Sequence, residues 1–429
     1  MIFPSLNRTL TGLLLVAVIG LATMLTGCDV LEVENPNSVL EEDLRDPSST
    51  QALRNGAVAT TARAYGYMYA LNAEASDELS WIGSFDAWNQ IDRGNIGDPL
   101  NQFLQDAFPF VGEARYTADL AIRRLESFQD EGTLQSPNDL LGSYEQGALM
   151  YMLIGDMFED FALSTPDEPA PPVGESNMDT MYATAIGYLD KAISIARNQS
   201  KAQAETRLLA IRARAKHGLG VWDKLQSGST PSAPLVGSQG VIDDATAYLD
   251  RVNDDTDEQY QFEYGQTSIS NYVAGQVNDR QELNIAPSYV DSPDPITDDP
   301  DPRTQALIEE FRAGPFVPLS YTSTREMRLL LAEAHLANNN TDDAVTQINL
   351  VRALGGLPAY DPDAHEPTPQ EMLEYERKAN LFMMGRRLND LYRFGESSPE
   401  WGSSSVAATT PGTVFPIANN EIDSNPHID

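Results

Sequence analysis

Cysteine occurs once in 429 residues, at Cys28. That count excludes both a disulfide framework and a cysteine-ligated metal site. Histidine is almost as scarce: His217, His335, His365 and His427 stand far apart in the chain. An imidazole-based zinc or proton-relay centre is therefore not expected. Positive charge is short as well, with 28 Lys and Arg against 64 Asp and Glu and a net charge of −36. This excludes nucleic acid as a partner, because its phosphates need a Lys/Arg surface. It also argues against a polybasic membrane contact. After the N-terminal apolar run no second one of about 18 residues follows, so no membrane-spanning helix is expected in the rest. The chain also lacks a Gly-x-Ser-x-Gly elbow, a phosphate-cradling glycine loop and a His-Glu-x-x-His zinc motif. So many carboxylates leave a glycosidase pair open by residue type, but no enzyme is expected.

What is present starts at the N-terminus. Arg8 supplies a short positive region, Leu13 to Ala22 an apolar core, and Leu25-Thr26-Gly27-Cys28 follows. Small residues at Thr26 and Gly27 suit a signal peptidase, and the Cys28 thiol is placed to take a lipid. Acyl chains contribute about 0.8 kcal/mol per buried CH₂, so several on one residue anchor a domain to a bilayer. The expected organisation is a signal peptide over 1–27, an extended lipidated tether over 28–47, and one domain over 48–429. Pro36 and Pro47 interrupt any helix in the tether. Only Lys191, Lys201, Lys216, Lys224 and Lys378 are lysines. Acidic excess with little lysine suits a surface hydrated in high salt, where repulsion is screened within about 3 Å at about 1 M. A salt-loving host is one expectation, and an ordinary acidic exported protein is the other.

From Ser48 onward the pattern is helical. Segments near 49–72 and 100–128 carry apolar residues at three- and four-residue steps. Helix pairs then recur. Leu141, Tyr144, Ala148 and Met152 share a face, as do Ile186, Leu189, Ile193 and Ala196 beyond a proline-rich loop. Leu208, Ile211, Ala215 and Leu219 open a second unit that resumes near Asp243–Arg251. In the third, Ser323 to Glu326 reads as a capping box, in which serine and glutamate satisfy orphan N–H groups reciprocally. Met327, Leu330, Leu331 and Ala334 follow, then a turn at Asn338 to Asn340 and a returning face of Ala344, Ile348 and Val351. Alanines at 332, 334 and 344 permit the close crossing of tetratricopeptide-type helices. The fold class is all-α, a degenerate tetratricopeptide-like helical-repeat scaffold. Interruptions at about 220–240 and 255–320 are expected to be loops forming a ligand face.

The chain resembles the SusD/RagB family of nutrient-uptake surface lipoproteins. The resemblance rests on four stretches: Cys28 to Asn37, Glu326 to Arg352, Glu376 to Arg393, and Phe415 to Pro426. Met384 and Asn380 stand where the family often has acidic residues, which puts a local ion pair in doubt. The resemblance implies four repeat-like helix pairs and no catalysis. It also implies an outer-membrane, lipid-anchored location and docking on a SusC-like TonB-dependent transporter. The implied ligand is an oligosaccharide or another small nutrient. A helical scaffold that only organises protein partners is the alternative.

Sugar capture relies on aromatic faces with amides and carboxylates beside them. Trp81, Trp88 and Asn89 lie in a glycine-containing stretch, Asp77 to Asn89, that offers this mixture, and the family's equivalent stretch contributes to its ligand face. Packing of the tryptophans between N-terminal helices is the competing reading. Tyr264, Tyr272 and Tyr289 follow as candidates in the long interruption, with loop anchoring through the hydroxyl as their alternative. Asp291 to Asp301 concentrates carboxylates, but with three prolines and no glycine it reads as a solvated acidic loop and not a calcium site. No cofactor is expected beyond the lipid on Cys28. Arg386, Arg387, Asp390 and Arg393 sit at helical spacing, which favours ion pairing within the last helix over an anion site.

Overall fold

The structure is a computed structural model, and it describes residues 43–428. The signal segment, Cys28 and most of the tether lie outside the described residues. Residues 43–46 belong to a unit of their own that holds a 3₁₀ turn, Asp43–Arg45; the second unit begins at Pro47. In chain order the second unit contains α1 (Thr50–Ala75), β1 (Leu79–Trp81), α2 (Asp86–Asp92), α3 (Gln102–Asp130), α4 (Pro137–Met157), α5 (Asp179–Asn198), α6 (Ala202–Leu225) and α7 (Gln239–Leu249). The long interruption follows, with β2 (Gln259–Phe262), α8 (Tyr272–Asn278), β3 (Leu283–Ile285), α9 (Pro287–Val290), α10 (Pro302–Phe311) and β4 (Leu319–Ser323). The chain then continues through α11 (Thr324–Ala337), α12 (Thr341–Leu354), α13 (Pro369–Asn380), α14 (Arg387–Phe394), α15 (Val406–Thr409) and α16 (Asn419–Ser424).

Four helix pairs pack as the repeat pattern implies: α1 with α3, α4 with α5, α6 with α7, and α11 with α12. Ala332 and Ala344 meet in a fully buried cluster with Leu329, Ile348 and Val351, so small side chains do set the close crossing. The interruption at 255–320 is not a plain loop. β1 pairs antiparallel with β3, Leu79 opposite Ile285, and β2 pairs antiparallel with β4 through a bulge at Tyr260/Gln261. These two ribbons tie the insertion to α1 and α11.

Local chemistry explains several boundaries. Asn101 caps α3 by accepting from the N–H groups of Phe103 and Leu104. Pro109 lies inside α3, so it cannot donate to the Gln105 carbonyl. The Asn420 amide of α16 donates to that carbonyl instead, at 2.9 Å. Ser323 caps α11, but only half of the expected box forms: Glu326 is buried and bonds Arg386 at 2.7 Å. A complete box closes at Thr368 and Glu371, at the start of α13.

Buried charge organises the C-terminal half. Glu333 is wholly buried and receives Arg393 at 2.5 and 3.0 Å, His217 at 3.0 Å and the Val236 N–H at 2.9 Å. Asp390 bridges Arg377 at 2.8 Å and Arg393 at 2.9 Å. The cluster at 386–393 therefore does pair ionically, but mostly with other helices and not only within its own. A second network joins Arg352 to Asp294 and Glu376, each at 2.8 Å, and Arg303 to Glu376 at 2.8 Å and Asp301 at 2.6 Å. The 291–301 segment is thus not simply solvated, because Asp294 and Asp301 are buried counter-ions. Asn380, standing where the family often has an acid, donates to Glu376 at 2.9 Å.

Removing one partner from a buried ion network costs about 3–5 kcal/mol, because the remaining charge stays buried. Arg393→Met is therefore expected to lose stability of about that size, read as a lower urea midpoint at an unchanged m-value.

Candidate ligand-binding face

The stretch from Asp77 to Asp92 is held from below by buried carboxyls. Asp77 takes Arg387 at 2.6 and 3.0 Å and Lys378 at 3.4 Å. Burial works against its ionisation, but Arg387 and Lys378 overcome it and keep the carboxyl below its usual range. Glu78 accepts the Met383 N–H at 2.8 Å, and burial pushes its carboxyl up to about 8. Asp92 is pushed up to about 7 by burial and by Glu400. Glu74, fully buried without a hydrogen-bond partner, lies well above its usual range for reasons of burial and nearby Asp92. Above this base the chain turns outward: Ile82 is 56% and Phe85 38% exposed.

The structure separates the six candidates. Trp88 is completely buried and stacks on Phe103 at 4.0 Å, so neither ring face can meet a ligand. Tyr264 is buried with its hydroxyl on the Ala62 carbonyl at 2.7 Å. Tyr289 is buried and bonds the Lys378 carbonyl at 2.6 Å. These three are corrections: all serve as packing or loop anchors. Trp81 is partly exposed at the end of β1, opposite Leu283. Asn89 is partly exposed, with its amide bonded to Asp86 at 3.0 Å and Arg93 at 3.0 Å within α2.

Tyr272 has a different setting. It is partly exposed and stacks on Tyr67 at 3.8 Å and 16°. Tyr67 in turn meets Phe110 at 4.7 Å, and the Arg63 guanidinium lies 4.4 Å over the Phe110 ring while pairing with Glu113. Burial, and then Asp106, raise the Tyr67 hydroxyl above its usual range, so it stays a neutral donor. Arg280 lies 6.0 Å from the Phe85 ring of the exposed loop. Gly66 makes the arrangement possible, since a methyl there would stand 3.2 Å from the Tyr272 nitrogen. The result is a run of aromatic rings edged by Arg63, Asp106, Glu113 and Arg280. Such a surface offers apolar faces to stack on and charged groups to bond hydroxyls.

Tyr67 and Phe110 were not found from the sequence. Arg63 and Tyr67 are four apart on α1, and Asp106, Phe110 and Glu113 share a face of α3. Aromatics placed between charges at helical spacing were the available signal.

Residues 325–429 match the model of the SusD family. The C-terminal quarter of the chain is thus similar to the SusD family. Over the rest of its length the likeness is one of fold. A SusD superfamily protein from Bacteroides vulgatus superposes with a TM-score of 0.65 at 16% identity, covering 90% of this chain and 98% of that one. A second, from Bacteroides thetaiotaomicron, gives 0.65 at 13% identity over 90% and 99%. A SusD-like carbohydrate binding protein from Bacteroides vulgatus gives 0.61 at 11% identity over 89% and 97%. No curated protein matches the sequence. No described helix is long and apolar enough to cross a membrane, and no described cluster of His, Cys, Asp or Glu could hold a metal ion.

A carboxyl raised by folding adds stability while the unfolded form is also protonated, and loses it as pH rises. For Glu78 the loss spans its ordinary value of 4.5 to about 8. The melting temperature is therefore expected to fall between those pH values, and Glu78→Gln to flatten that fall in thermal melts.

Proposed function

We propose that this protein is a non-catalytic, lipid-anchored glycan-binding protein of the outer membrane and a member of the SusD/RagB family. It would capture an oligosaccharide for a SusC-like TonB-dependent transporter. The observation that carries this reading is the partly exposed stack of Tyr272 on Tyr67, with Phe110 beside it and charged groups at its edge. A purely structural aromatic cluster would be closed over by its neighbours, whereas Tyr67, Phe110 and Tyr272 each stay partly exposed.

In this reading the rings meet the apolar face of a pyranose. The Tyr67 hydroxyl, neutral at ordinary pH, donates or accepts with a sugar hydroxyl. Arg63, Asp106 and Arg280 supply further bonds, and the helix pairs beneath hold these groups at fixed spacing. The resemblance at Cys28 and the carbohydrate-binding relative of the same fold support the anchored, sugar-capturing role.

Tyr67→Ala and Tyr272→Ala should each weaken glycan affinity about tenfold or more, a loss of about 1.4 kcal/mol, in calorimetric titration against an oligosaccharide panel. Wild-type affinity in both variants would rule out this face. Purified protein should release no reducing sugar from the same glycans; measurable turnover would instead make it a hydrolase. Cys28→Ala should abolish incorporation of labelled palmitate and free the protein from the membrane fraction.

A further inference from the structure

A second cleft, of about 410 Å³, lies on the other side of α1, between α1, α4, α6 and the β2 ribbon. Its size is that of a small-ligand site. Two of its polar side chains carry a buried atom without a hydrogen-bond partner. Gln146 is only 7% exposed; its side chain makes no hydrogen bond among the described residues, and its amide oxygen is buried without a partner. Arg54 has its Nε buried without an acceptor, and its guanidinium forms no ion pair among the described residues. Gly142 makes room for the Arg54 side chain, since a methyl there would stand 2.8 Å from Nε. Leaving a buried polar atom unmet is unfavourable, and one cleft holds two such atoms.

The remaining walls decide what would satisfy them. Arg207 is already engaged, its Nε and Nη2 bonded to Glu145 at 2.7 and 2.8 Å. Glu145 is thereby ion-paired. Val58 and Phe262 give apolar surface, and the exposed Glu263 stands at the edge. A ligand must therefore present an anion to Arg54 and hydroxyls to the Gln146 amide, which can turn to offer either end. A guanidinium in a chain of net charge −36, left without a carboxylate partner beside an empty amide, suits an anion brought from outside.

We infer that this cleft binds a sugar carboxylate, of the kind a uronic acid unit presents, held by Arg54 and Gln146. The site is separate from the Tyr67–Tyr272 face and does not depend on it.

The test is calorimetric titration of the full chain in detergent with short oligomers of glucuronate and of galacturonate, beside their neutral glucose and galactose counterparts. At least one acidic oligomer should bind about tenfold more tightly than its neutral counterpart. Arg54→Gln should remove that preference, and Glu263→Gln should strengthen it. Gln146→Leu should weaken acidic-sugar binding without lowering the melting temperature, because it removes an unpaired buried amide. Gln146→Leu therefore decides the matter if Arg54→Gln does not fold. Tyr67→Ala should leave the preference intact, which separates failure here from failure of the aromatic face. Equal affinity for acidic and neutral oligomers, no binding of any acidic oligomer, or unchanged binding by a folded Arg54→Gln or Gln146→Leu protein would each overturn the inference.

Discussion

A charge removed from water needs its counter-charge beside it, and this fold is arranged around meeting that demand at Glu333. Its carboxylate has no exposure, yet Arg393 and His217 bring two helices to it and the Val236 N–H brings a loop. Against the opposing pull of burial, Arg393 and His217 keep that carboxyl well below its usual range. From there the pairing runs through Arg377 and Asp390 to α13 and α14, and separately from Glu326 through Arg386 to the turn after α13. Helix pairs that would otherwise meet only through alanines and leucines are thereby fixed in register. The fork of arginine suits this role, since it bonds a carboxylate through two parallel N–H groups while lysine offers a single point of charge. That gives the shortage of lysine an internal reason alongside any surface one.

The same arrangement places the candidate glycan face. Asp77 is held by Arg387, and Glu78 accepts from Met383, so the C-terminal helices grip the base of the Ile82–Phe85 loop. The Asn420 amide likewise repairs the gap that Pro109 leaves in α3, the helix that carries Phe110. The segment that matches the family model is thus in direct contact with the base of the Phe85 loop and with α3, two of the elements that present aromatic rings. Scaffold and candidate face are mechanically one system, although they are far apart in sequence.

The helices were legible because their apolar spacing is strong: α4 to α7, α11 and α12 all appear where periodicity put them. The two ribbons were not, because β1 and β3 are three residues long and lie about 200 residues apart. Periodicity over three residues carries no information, and pairing across that separation leaves no local trace. Among site residues, Tyr272 was named and Tyr67 missed, since the stack that joins them spans α1 and the insertion. Trp88 misled for a physical reason. Its neighbours Asp86 and Asn89 are polar, yet a helix turns it inward onto Phe103. Glu326 shows the same limit, being read as a cap partner by spacing and taken by Arg386 instead.

The pairing at Glu333 and Glu376 is sealed from solvent, whereas the carboxylates that dominate the composition are largely outside. Dissolved ions screen charges they can approach and leave sealed ones almost unaffected. The protein therefore carries two electrostatic systems that answer to different surroundings. Ionic strength sets how strongly the outer surface repels itself and its neighbours, while the internal register of the helices is indifferent to it. A protein built this way keeps the same spacing between its helices while the water around it changes from dilute to concentrated.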